Sequence, residues 1–194
     1  MNTGDARTEI MRSIRTHLAT SAPFDPAVGA TPCSSVAELP KGSLVEIFKQ
    51  NLELVDGHCI VVNNQTEIEE TVTRLTAGRR IAAPDQSRAD LFRSDVGVTS
   101  TQAGIAETGT LVLDSSREKN RLVSLVPPVH IAILDASRIF ATLGETLAAL
   151  QSGDEVSPAI TFITGPSRTA DIELTLAIGV HGPQQLYVII NQNA

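Results

Sequence analysis

ITFITGPSRTADIELTLAIGVHGPQQLYVIIN, residues 160–191, is the stretch whose reading decides the fold. Ile160, Phe162 and Ile163 make a short apolar, strand-prone run, and Gly165 and Pro166 stop it. Ser167, Arg168 and Thr169 then occupy the start of an expected helix. Asp171 and Glu173 fall in its first turn, where carboxylates suit the positive end of the helix dipole. Ile172 and Leu176 mark its inner face and Gly179 its stop. Gly182 and Pro183 turn the chain again, and Leu186 to Ile190 read as a buried strand. The pattern predicts a β-α-β unit. Its first turn offers a guanidinium, two hydroxyls and free backbone N–H groups, and such turns hold anionic or polar small molecules in α/β proteins.

Upstream, helical and extended patterns alternate. Residues 43–56 predict a helix with Leu44, Ile47, Phe48, Leu52 and Val55 inward and Gly57 at its stop. Cys59–Val62 predicts a strand. Thr66 and Glu69 have capping-box spacing ahead of a helix facing inward through Ile68, Val72 and Leu75. Arg79–Ala83 and Val96–Thr99 read as further strands, and residues 84–92 as a short helix or turn. Ala103–Ala106 fits a turn of helix broken at Gly109, and Thr110–Leu113 a strand that Arg121–Val126 is expected to join. Val129–Leu134 is a strand and Leu143–Leu150 a helix. Alternation of this kind means an α/β fold, a largely parallel sheet with helices on both faces. At the other end, Ile10, Ile14 and Leu18 set a helix over residues 5–19, and the Pro-, Gly- and Ser-rich residues 21–42 an extended arm. The expected division is an N-terminal helix and arm, 1–42, and a compact domain, 43–194.

Composition narrows the function. A net charge of −7 disfavours nucleic acid and anionic membrane surfaces, and 3% aromatic residues leave no stacking platform for bases. No run approaches ~20 apolar residues, so no membrane span is expected, and MNTGDARTEIMRS lacks the apolar core of a signal peptide. The reading is cytoplasmic. Cys33 and Cys59 show no C-x-x-C spacing, which excludes a four-cysteine cluster or zinc site within this chain and suits reduced thiols. No G-x-G-x-x-G follows a strand and no histidines have metal-ligand spacing, so neither cofactor nor metal is expected.

Three stretches, GIAETGTLVL (104–113), LVSLVPPVHIAIL (122–134) and ITGPSRTADIELTLAIGVHGPQQLYVII (163–190), resemble the signature segments of the LUD-domain family, named for lactate utilisation. The similarity is dense over residues 95–191 and thinner over 43–94. It resembles the small, iron–sulfur-free members of that family. The resemblance implies a NagB/RpiA/CoA-transferase-like arrangement. It also implies participation in a multi-protein, iron–sulfur-dependent oxidation of L-lactate to pyruvate, with iron–sulfur subunits as partners. The residues alone reach an α/β fold with an anion-competent turn; lactate comes from the resemblance.

The expected site joins two turns, Glu107, Thr108, Gly109 and Thr110 with Gly165, Pro166, Ser167, Arg168, Thr169, Asp171 and His181, around a small carboxylate or a nucleotide-like ligand. Arg168 either takes a ligand carboxylate bidentately or pairs with Asp171 or Glu173. Ser167 and Thr169 either donate to the ligand or cap the helix. Glu107 invites comparison with the nucleophilic glutamate of CoA transferases, and equally serves as a carboxylate that caps the turn at Gly109 or pairs with Arg168. His181 either moves a proton or shapes its turn. His130 is expected to be buried and satisfied, and His17 and His58 incidental. Two functions stay open: a subunit of a lactate-oxidising complex, or a stand-alone transferase or ligase on a phosphate- or CoA-bearing substrate. A purely structural subunit is a third reading, and a homo-oligomer is compatible with all three.

Overall fold

The computed structural model describes residues 3–20, 43–151, 159–169, 177–178 and 182–193. The chain divides into two units, Met1–Glu38 and Leu39–Ala194. In the first, the expected helix is present as α1 (Thr3–Thr20), with Ile10, Met11 and Ile14 exposed. The arm expected over 21–42 lies outside the described residues.

The second unit runs α2 (Leu44–Leu54), β1 (His58–Val62), α3 (Gln65–Thr76), α4 (Arg88–Leu91), β2 (Val96–Ser100), β3 (Ala103–Ile105), β4 (Thr110–Asp114), α5 (Leu122–Leu125), β5 (Val129–Asp135), a 3-10 turn at Ala136–Arg138, β6 (Ile139–Phe140), α6 (Leu143–Gln151), β7 (Ile160–Ile163), β8 (Arg168–Thr169), β9 (Ala177–Ile178) and β10 (Gln185–Asn191). The central sheet has the order β1-β10-β5-β2, and every pair in it is parallel. The apolar runs VHIAIL and LYVII supply its two inner strands. Ile131, Val188, Ile189 and Ile190 are fully buried, as a sheet covered on both faces requires.

On one face, Ile68 of α3, with Val72 and Leu75, packs over Val62, Val96, Ile131 and Ile189. On the other, Ile47, Phe48 and Leu52 of α2 join Leu111, Leu113 and Ile139 over Ala132, Leu134, Leu186, Val188 and Ile190. Full burial of side chains such as Phe48 and Leu52 stabilises the fold by roughly 1.5–3 kcal/mol each. The largely parallel α/β sheet is therefore present. Part of one cover is a second sheet of order β6-β3-β4-β7, which the strand pattern did not foretell.

That second sheet corrects the reading of residues 160–191. Strand β7 pairs antiparallel with β4, from Leu111↔Ile163 to Asp114↔Ile160, and not with the central sheet that holds β10. Its Phe162 is exposed, unlike a strand covered on both faces. The expected helix is not found at its described ends: Arg168–Thr169 and Ala177–Ile178 pair antiparallel as a two-stranded ladder. Three smaller corrections follow, the first from tertiary pairing and the last from a local cap. Ala103–Ile105 is strand, not helix, because it pairs with β4 on one side and β6 on the other. Leu122–Leu125 is a short helix, not a strand. The Asn120 side chain accepts from Leu122 N, and β4 is already filled by β3 and β7. Helix α3 is capped by Asn64, whose side chain accepts from Glu67 N, and not by Thr66. Among the described residues no helix is long and apolar enough to cross a membrane.

Candidate functional site

The end of α2 organises the site. Gly57 N donates to Leu52 O and Asp56 N to Glu53 O, which is the Schellman closure of a helix. The residue that turns left-handed there is Asp56, with φ 61, and not Gly57. Its carboxylate pairs with the Arg168 guanidinium across 112 residues of sequence. Arg168 thus has an acidic partner in Asp56, while Asp171 and Glu173, the partners expected for it, lie outside the described residues.

The turn carrying Arg168 is seated on the same helix end. Gly165 has φ +73, and a Cβ there would stand 2.5 Å from Val55 O. Ser167 N donates to Pro183 O at 2.9 Å, which ties the turn to the entry of β10, where Gln184 N and Gln185 N both donate to Pro128 O. Between these parts opens a cavity of about 550 Å³. It is lined by Glu53, Asp56, Gly57, His58, Cys59, Pro166, Arg168, Gln184 and Gln185. His58, expected to be incidental, lines it and stacks on Tyr187 with ring centroids 4.8 Å apart. Burial pushes the Cys59 thiol up to about 11, with Lys49 opposing and Glu53 adding to the rise, so this thiol stays protonated near neutrality.

The cavity opens at the amino ends of β1 and β10, not at a carboxyl-end βα turn. The reason is the placement of β7: as part of the second sheet it delivers its carboxyl end to the starting edge of the central one. Asp56, His58, Gln184 and Gln185 therefore join Arg168 there. The sequence carried one hint of this, the Asp-Gly pair at the helix stop.

The other expected turn comes close without entering the cavity. Gly109, with φ +63, rests on Asn51 and Leu52, and Asn51 Nδ2 donates to Ala106 O at 2.8 Å. Both turns thus sit on the last turns of α2. Thr108, Thr110 and Thr164 form a chain of hydroxyls, 2.7 Å between each pair, that links the 106–110 turn to the end of β7. Glu107 faces elsewhere: its carboxylate accepts from Leu143 N at 2.9 Å, at the start of α6. Glu107 to Thr110 are not among the cavity's lining residues. Thr169 contributes backbone to β8, and Asp171 and His181 lie outside the described residues.

His130 is fully buried, with Nε2 2.8 Å from Thr99 Oγ1 and Nδ1 without a partner, so the expected satisfaction holds for one ring nitrogen. Burial holds it down to about 4. Among the described residues no three His, Cys, Asp or Glu side chains gather as metal ligands do.

The LUD domain model matches residues 79–191. A Lactate utilization protein C from Exiguobacterium sp. is 39% identical over 166 residues, 81% of this chain and 72% of that protein. The chain belongs to the LUD-domain family. Another Lactate utilization protein C, from Bacillus licheniformis, is 39% identical over 56% of this chain and 48% of its own length. An uncharacterized protein of Neisseria meningitidis serogroup B is 45% identical over 49% of this chain and 41% of its own. The chain thus matches about half the length of several of its curated LUD relatives. A crystal structure of a DUF162 family protein from Deinococcus radiodurans aligns over 78% of this chain and 99% of its own, with a TM-score of 0.61 and 24% identity. That likeness extends the agreement to the fold.

Proposed function

We propose that this chain serves lactate utilisation as one subunit of a multi-protein, iron–sulfur-dependent system that oxidises L-lactate to pyruvate in the cytoplasm. The observation that carries the reading is the similarity to the Exiguobacterium Lactate utilization protein C across most of both chains. Converting a 2-hydroxy acid to a 2-oxo acid releases two electrons and two protons, and the electrons need an acceptor. Two cysteines, Cys33 and Cys59, cannot hold a four-cysteine cluster, so cluster-bearing partners take that role.

The chain's own contribution is a ligand held beside Arg168. A guanidinium has five N–H donors, and Asp56 leaves several of them for a ligand carboxylate or phosphate. In the absence of ligand, Asp56 keeps the guanidinium in place on the rim of the cavity.

The test is genetic and biochemical. Loss of the coding gene abolishes growth on L-lactate, the wild-type gene restores it, and Arg168→Ala restores it poorly. A pull-down from the native host recovers cysteine-rich iron–sulfur proteins, and the purified chain alone does not oxidise L-lactate. Turnover by the isolated, cofactor-free chain would sink the proposal.

A second reading is favoured by one observation, the cavity's size. About 550 Å³ exceeds what a three-carbon acid fills and suits a nucleotide or part of a CoA ester. A thermal-shift screen separates the two, because a ligand of the native state raises the melting temperature by mass action. A response to nucleotides or CoA esters, reduced in Arg168→Ala, together with normal growth on L-lactate without the gene, selects a transferase or ligase.

A further inference from the structure

A second, smaller hollow lies at the carboxyl end of β2, the end at which parallel sheets ordinarily bind ligands. Its volume is about 150 Å³, and its lining includes Thr99 and Ser100 from the strand, Pro84 from the loop before α4, and Arg117, Glu118 and Lys119 from the loop after β4. At roughly 30 Å³ per water this is room for about five waters, or one ligand of five or six heavy atoms.

The walls are built, not accidental. Asp114 O accepts from both Arg117 N and Glu118 N, while Asp114 Oδ1 accepts from Ser116 N, which folds the loop into a tight turn. Asn120 Nδ2 then donates to Pro84 O, clamping that loop to the opposite wall.

Two groups in or behind this hollow have hydrogen-bonding capacity with no partner. One carboxylate oxygen of Glu118 is buried without one. Behind Thr99 stands His130, whose Nδ1 is also buried and unpartnered. An orphaned buried N–H is rarer than an orphaned acceptor, which assigns the ring proton to Nε2. Nε2–H then donates to Thr99 Oγ1, and the Thr99 hydroxyl proton turns away from His130. His130 is a positioning residue in this arrangement: it makes Thr99 a donor.

We propose that this hollow binds a two- or three-carbon carboxylate, which accepts a hydrogen bond from Thr99 and is balanced in charge by Arg117 and Lys119. Burial raises the Glu118 carboxyl to about 7, and in its protonated form Glu118 supplies a second donor. The hollow is too small for a nucleotide, and its occupant is independent of whatever the Arg168 cavity holds.

The test is a ¹H–¹⁵N NMR titration of the full chain with glycolate, L-lactate and pyruvate, with sodium chloride of equal ionic strength as the reference. The expected result is saturable shifts at residues 98–100 and 117–120. Thr99→Val weakens binding at least tenfold, Thr99→Ser retains it, and Arg168→Ala leaves it unchanged. If Thr99→Val does not fold, Arg117→Ala with Lys119→Ala serves instead: both side chains are exposed, and their joint loss lowers affinity several-fold. The proposal is overturned if no saturable shift appears at tens of millimolar, or if Thr99→Val or the double variant binds like wild type. It is also overturned if the shifts gather around Arg168 and vanish in Arg168→Ala. That last outcome leaves the Arg168 cavity standing as a carboxylate site, so the two ideas fail separately.

Discussion

Replacing Gly109 by alanine tests whether the 106–110 turn truly rests on α2, and Gly78→Ala is its control. Both glycines have positive φ, +63 and +71. An L-residue in that region costs roughly 1–2 kcal/mol, and the lower entropy of the unfolded alanine chain returns roughly 0.4–1 kcal/mol. At Gly78 nothing else changes, because a Cβ there meets no atom within 4 Å. The expected loss is about 1 kcal/mol. At Gly109 the new methyl group would lie 2.7 Å from the Asn51 carbonyl carbon and the Leu52 Cα, and closer still to Leu52 N. These are backbone atoms inside α2, and Leu52 is fully buried, so helix and turn must part. Overpacking of this kind adds roughly 1–3 kcal/mol, for a total of about 2–4 kcal/mol. Urea denaturation followed by circular dichroism reads the difference. With a slope of about 2 kcal/mol per M, the midpoint falls by about 0.5 M for Gly78→Ala and about 1–2 M for Gly109→Ala. Equal shifts in the two variants would show that the turn does not sit against α2, and the common seat of the two turns would be lost with it.

Three further outcomes are expected. His130, held down to about 4 against an ordinary 6.5, refuses a proton that the unfolded chain binds; its contribution, about 3 kcal/mol, is lost as pH falls from about 6.5 to 4. Glu118, raised from 4.5 to about 7, acts oppositely, its contribution being present below about 4.5 and lost as pH rises to about 7. Stability in Glu118→Gln therefore climbs more steeply from pH 4.5 to 6.5 than in wild type, and parallel curves would refute the assignment; Asp95, held at about 2 by Arg80, acts only below about 4. In a Cys33→Ser background, Cys59 at about 11 against an ordinary 9.0 alkylates at pH 8 about 100-fold more slowly than a free thiol, and free-thiol kinetics by mass spectrometry would contradict its burial. Asp56→Gly keeps urea stability within about 1 kcal/mol, since relief of the left-handed residue offsets glycine's greater unfolded entropy, whereas Asp56→Val loses about 1–2 kcal/mol; equal losses would deny the left-handed turn.

What could be read in advance follows from what a local pattern encodes. Strands β5 and β10 were legible because burial on both faces leaves an unbroken apolar run, and α3 because Ile68, Val72 and Leu75 keep helical spacing. Strand β7 was legible as a strand, but its run of four residues says nothing of its neighbour, and pairing with β4 removed it from the central sheet. Asn64–Glu67 and Thr66–Glu69 have the same spacing, so spacing alone cannot choose the cap of α3. At the candidate site, Arg168 and its glycine turn were visible in the sequence. Asp56 and His58 were not, because their roles depend on a pairing across more than a hundred residues. Glu107 was singled out by analogy, and its hydrogen bond to Leu143 N turns it toward α6.

Strand β10 follows every other described element in chain order, yet it lies between β1 and β5. A ribosome therefore releases both flanking strands before the one that must slot between them. Until it arrives, the nascent chain carries two open hydrogen-bonding edges about 70 residues apart in sequence, each a template for the wrong partner. Closure then has to join β1 to a segment about 129 residues downstream, a slow step by loop entropy. The interval between synthesis and closure is when this protein most needs a chaperone.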